Sequence, residues 1–108
     1  MAYYNGQSKS EFEKNYKRIN DILSKSEDDI DKAISIAKVQ STRITNEFKS
    51  INRAMAAKEI GHSFKLNNLD DKANICQSIY DVFFRRAYEL GSVSTKDYRE
   101  YQLEKLGL

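Results

Sequence analysis

The chain has 108 residues, one cysteine, no proline and a formal net charge of +2 from 18 basic and 16 acidic side chains. That length makes a single domain over 1–108, able to bury roughly 65% of the surface its unfolded form exposes, and the lone thiol excludes an intramolecular disulfide. The near-balanced charge demands neither DNA nor an anionic membrane as partner, and the longest bulky apolar run, Val82-Phe83-Phe84, is far below the 20 or so residues that cross a bilayer.

Residues 1–7 read as a flexible tail with no apolar secretory stretch, so the expected location is a reducing cytoplasm. Ser8-Lys9-Ser10-Glu11 then has the spacing of a capping box, which opens a first predicted helix over Lys9 to Ser24. Its inward stripe is Phe12, Tyr16, Ile19 and Leu23, in steps of four, three and four.

Ser26-Glu27-Asp28-Asp29 repeats the capping spacing, with four acids between Glu27 and Asp31 at the positive end of a helix dipole. From there Ile30, Ile34, Ala37, Ser41, Ile44, Phe48, Ile51 and Met55 alternate steps of four and three, one narrow apolar stripe along a long second helix. Gly61 is its expected stop. Residues 27–60 as a straight helix would measure about 50 Å, whereas a compact chain of this length is about 34 Å across. Either the helix bends or breaks, within Gln40 to Thr45 where Ser41, Thr42 and Thr45 are poor helix formers, or it projects and packs on another chain, as a homodimer or a partner-binding rod.

His62 to Asp71 reads as a loop returning Phe64, Leu66 and Leu69 to the core, with Asn68 as the cap of a third helix that runs to Leu90. Ile75, Cys76, Ile79, Val82, Phe83, Phe84, Ala87 and Leu90 cover more than one face, which predicts the most buried helix of the set. Gly91 stops it. Ser94-Thr95-Lys96-Asp97 is a further capping box, Val93 is placed to staple onto Tyr98, and a short C-terminal helix follows to Leu106, with Gly107 as its stop. The fold class is therefore all-α, a single-domain four-helix bundle-like arrangement with one long helix and a short C-terminal one.

No catalytic, metal-binding or nucleotide-binding motif stands in the sequence. Cys76 lies on an apolar helix side and reads as a packing thiol; His62 is the only histidine, without the further ligands zinc needs or the oriented partner a general base needs. The acids at 27–31 and 70–71 lack the Asp-x-Asp-x-Asp-Gly spacing of a calcium loop. These readings imply no enzyme, no cofactor and no metal.

Two surfaces carry the functional expectation. Lys38, Arg43, Lys49, Arg53, Lys58 and Lys65 outnumber Glu47 and Glu59 along the second helix and its end; Lys38, Lys49 and Arg53 share one edge, with Thr42 and Asn46 between them. Such an edge suits phosphate contacts, but it suits better lysine and arginine stems covering the rim of a core. The second surface gathers Arg85, Arg86, Tyr88, Tyr98, Arg99 and Tyr101 around one helical turn; tyrosine and arginine dominate protein interfaces because each offers rigid area with a polar end. Ala87, Gly91 and Val93 also match a helix-turn-helix, although the charges of Lys96, Arg99 and Lys105 against Asp97, Glu100 and Glu104 cancel on its second helix.

Residues 83–107 resemble the short C-terminal helical module called SHOCT, through Leu90-Gly91-Ser92-Val93-Ser94-Thr95-Lys96-Asp97-Tyr98 and the run to Leu106. Lys96-Asp97 replaces that module's acidic pair and tyrosine its phenylalanine. The resemblance implies an oligomerisation or docking element of the kind found in phage and other mobile-element proteins, and it carries no active site. The resulting expectation is a small non-enzymatic protein–protein interaction module, an inhibitor or adaptor of the phage or mobile-element type. The alternative is a nucleic-acid-binding accessory protein that contacts phosphates through Lys38, Lys49, Arg53 and Lys58 and through the helix-turn-helix-like C-terminus.

Overall fold

The computed structural model describes residues 9–107, the side chain of Glu47 excepted, and these residues form five helices and no strand: α1 (Lys9–Ser26), α2 (Ile30–Arg43), α3 (Glu47–Leu66), α4 (Asp70–Leu90) and α5 (Thr95–Lys105). The expected Ser8 cap and the tail over 1–7 lie outside the described residues. Helix α1 packs on α2 and α3, and α4 packs on the same two, which closes a ring in the order α1, α2, α4, α3; α5 leans on α4. This is an all-α bundle with the fifth helix appended to one of its sides.

Of the two alternatives for the long second helix the break is the one that forms, at 44–46, overlapping the end of the expected Gln40 to Thr45 window. Ile44 and Asn46 adopt extended backbone conformations, and the Asn46 side chain accepts from the Phe48 and Lys49 amides at 2.9 and 3.0 Å, so asparagine opens a new helix where the apolar stripe reads as continuous. The break at 44–46 folds the chain into extents of 37 × 31 × 27 Å with a radius of gyration of 13.3 Å, and no rod projects.

The entry into α2 also differs from the capping-box expectation. Helix α1 runs two residues further, and Ser26 is buried in its last turn with its hydroxyl donating to the Leu23 carbonyl. Glu27 and Asp28 take left-handed conformations at φ 51° and 65°, and Asp29 caps α2 by accepting from the Asp31 and Lys32 amides. The buried face of α1 is Asn15, Ile19, Ile22 and Ser26, with Tyr16 and Leu23 half-buried beside it.

Gly61 does not end a helix. It sits inside α3, where a methyl group in place of its hydrogen would stand 3.0 Å from the Cys76 Cβ, so glycine here permits close approach of α3 and α4. Ala54, Ala57 and Gly61 face the bundle centre with Ile51 and Ile60, and α3 therefore shares with α4 the central burial expected of α4 alone. The connection between them is Asn67 to Leu69, not a ten-residue loop. Asn68 supplies the left-handed turn at φ 60°, and the cap position falls to Leu69, which offers no side-chain bond. Phe64 does pack on the core, whereas Leu66 and Leu69 are exposed.

The C-terminal half follows its expected grammar. Gly91 closes α4 at φ 96°, Ser94 caps α5 by accepting from the Asp97 amide at 3.1 Å, Val93 is buried between them, and Gly107 follows the last helix at φ 75°.

Candidate functional site

The Tyr/Arg cluster is divided between holding α5 in place and facing solvent. Tyr98 stacks on Tyr88 at 4.2 Å between ring centroids and on Phe84 at 6.0 Å, while Tyr101 packs on Phe84 at 4.6 Å and meets Tyr80 edge-on. The Tyr101 hydroxyl donates to the Asp81 carboxylate, which also accepts from Lys105 Nζ at 3.1 Å. Burial, then the hydrogen bond and charge of Asp81, hold the Tyr101 phenol well above its ordinary range; burial with the charges of Asp81 and Glu104 pushes Tyr80 up to about 12. An eleven-residue helix with no buried residue is thus held to the bundle by an aromatic seam and one carboxylate.

The arginines differ from one another. Arg86 donates to the carbonyl oxygen of Ile44 from both Nε and Nη2, which satisfies an orphan acceptor at the end of α2. Arg85 is 73% exposed and reaches Glu89 only at 3.9 Å. Arg99 is exposed on α5.

Between α2, α4 and α5 lies an open groove of about 700 Å³, which Arg85, Arg86, Tyr98 and Tyr101 line and Tyr88 and Arg99 do not. Lys38, Ser41 and Thr42 come from α2; Asp81, Val82, Arg85, Arg86 and Glu89 from α4; Tyr98, Tyr101, Gln102, Lys105 and Leu106 from the C-terminal end. Both carboxylates are engaged: Asp81 by Tyr101 and Lys105, Glu89 by the two arginines. The four cations Lys38, Arg85, Arg86 and Lys105 outnumber these two carboxylates, and the lining keeps a net positive charge around a floor of Val82 and tyrosine rings, beside an exposed Leu106.

The basic edge expected along one helix is split three ways, because the break at 44–46 separates Lys38 from the others. Lys38 belongs to the groove just described. Lys58 lies over the Tyr80 ring at 5.9 Å. Lys49 and Arg53 enter a second groove, of about 890 Å³, where Lys14, Lys17 and Arg18 of α1 join them and Glu11 and Asp21 are the opposing carboxylates. The α1 cations have a signal in the sequence, the spacing of Lys14, Lys17 and Arg18 on one helical face, but nothing in it pairs α1 with α3.

Cys76 is buried between α3 and α4, and burial pushes its thiol up to about 11, opposite to the shift a nucleophile needs. His62 is exposed on the last turns of α3. Among the described residues no group of three or more His, Cys, Asp or Glu side chains is placed to hold a metal ion, and no helix is long and apolar enough to cross a membrane.

Compared with protein-family models, with curated proteins and with solved structures, the chain finds no match.

Proposed function

We propose that this protein is a small non-enzymatic interaction module that docks another protein in the groove between α2, α4 and α5. The observation that carries this reading is the convergence there of Arg85, Arg86, Tyr98 and Tyr101 with Lys38 around one apolar floor. The occupant is an acidic amphipathic helix of the partner: its apolar face covers Val82, the tyrosine edges and Leu106, and its carboxylates meet Lys38, Arg85 and Lys105. The glycine-ended helix followed by a serine-capped one, which the SHOCT resemblance also implies, supports α5 as the docking element. A short chain rich in lysine and asparagine fits an inhibitor or adaptor of the phage or mobile-element type, acting in a reducing cytoplasm where a lone thiol needs no pair.

The test is affinity capture from nuclease-treated host lysate with the wild-type chain and with the double reversal Lys38→Glu, Arg85→Glu. Both positions are exposed and neither holds the bundle together. A stoichiometric protein captured by the wild type and lost from the reversal supports the reading; an unchanged set of captured proteins overturns it.

A further inference from the structure

The groove between α1 and α3 is built differently from the docking groove. Five cations line it, against the carboxylates Glu11 and Asp21 among the described side chains. Arg53 is held at its inner wall, with Nε donating to Asn15 Oδ1 at 3.5 Å and the guanidinium over the Phe83 ring at 5.6 Å. No carboxylate among the described residues pairs with Arg53, and its neighbour is a second cation, Arg18; burial and that like charge lower Arg53 to about 10. A guanidinium held near a second one, in a groove where five cations face two carboxylates among the described side chains, is a place an anion relieves. The amino-terminal end of the 20-residue helix α3 opens on the same groove and adds positive potential.

Phe48 distinguishes the class of anion. It follows Ala37, Ser41 and Ile44 and precedes Ile51 on the apolar stripe, all four of them buried, yet it is 52% exposed, on the groove wall beside Lys49. An aromatic face standing among phosphate-binding cations is the arrangement on which unpaired bases stack. A duplex hides its base faces, and a concave furrow between two helices offers no protruding element to enter a duplex groove. We infer that the α1–α3 groove binds single-stranded nucleic acid, with Arg18, Lys49 and Arg53 on successive phosphates and Phe48 stacked on a base.

The experiment is fluorescence anisotropy of the full chain with a labelled 12-nucleotide oligothymidylate, a duplex of the same length and a 12-residue polyglutamate, at 50 and 200 mM salt. Three phosphate contacts predict an affinity for the single strand that falls about 18-fold over that range. Phe48→Ala weakens binding about tenfold and leaves the salt dependence unchanged, Lys49→Gln flattens the salt dependence, and Lys32→Gln, at an exposed position of α2 outside both grooves, changes neither. Circular dichroism of each variant checks that the fold is kept; should Phe48→Ala unfold, Phe48→Tyr, which keeps the ring, must bind as the wild type does. Absence of single-strand binding at 50 mM salt, equal affinity for the duplex, or equal affinity for polyglutamate each overturns the inference, the last in favour of an acidic protein segment.

Discussion

The guanidinium of Arg86 on α4 spans the bundle to the carbonyl oxygen of Ile44 at the end of α2, with donors at 3.1 and 2.9 Å. The bond ties down the point where the chain leaves α2 for α3, and so fixes the break on which compactness depends. Arg86→Met keeps most of the packed stem and removes both donors. The expected loss is about 1.5–3 kcal/mol, the range for hydrogen bonds to charged groups, read as a lower urea midpoint. An unchanged midpoint would mean that water satisfies Ile44 equally well.

Gly61→Ala sets two effects against each other. Alanine gains about 1 kcal/mol in helix propensity over glycine, but its methyl would stand 3.0 Å from the Cys76 Cβ, which lies too near its own backbone to move aside. Overpacking of that kind costs about 1–3 kcal/mol. Chemical denaturation should therefore show Gly61→Ala less stable than the wild type by about 1 kcal/mol, and a more stable variant would refute the close α3–α4 approach.

Alkaline pH should weaken the fold. Cys76, raised from 9.0 to about 11, and Tyr80, raised from 10.0 to about 12, keep their protons more tightly when folded, as does Tyr101. Stability from a raised group is complete below the unfolded value and is lost as pH rises through the folded one. The decline accordingly begins near pH 9 with the thiol and steepens above pH 10 with the phenols. Arg53, lowered from 12.5 to about 10, is shifted in the opposite sense, but it is one group against four, since burial raises Tyr16 as well. Urea midpoints from pH 7 to 11 should fall, and Cys76→Ala should remove the part of the fall nearest pH 9.

What the sequence discloses and what it hides divide along local and distant causes. The turn from Gly91 to Ser94 is legible because each signal acts within a few residues: a left-handed glycine, then a hydroxyl three positions before the amide it caps. That same locality made the cluster from Arg85 to Tyr101 readable, and much of it does meet at one groove. Gly61 misleads because its reason is the neighbouring helix, not its own. In the stripe from Ile30 to Met55 the need for a break is legible from its length and from Ser41, Thr42 and Thr45, but its cause is not: the four-three rhythm runs through Asn46, and only the folded chain shows that side chain serving as a cap. The α1–α3 groove is hidden for a different reason: Lys14, Lys17 and Arg18 share a legible face, but nothing local pairs α1 with α3, and Asn15 and Arg53 lie 38 positions apart.

The docking groove is tested most directly by photocrosslinking, with a benzoylphenylalanine at position 85 on the groove rim and, as a control, at position 62 on the exposed end of α3. In nuclease-treated lysate the expected result is a discrete protein adduct from position 85, mapped to an acidic helical segment and absent from position 62. No adduct from position 85, or the same adducts from both positions, would contradict the claim that this groove is where the protein meets its partner.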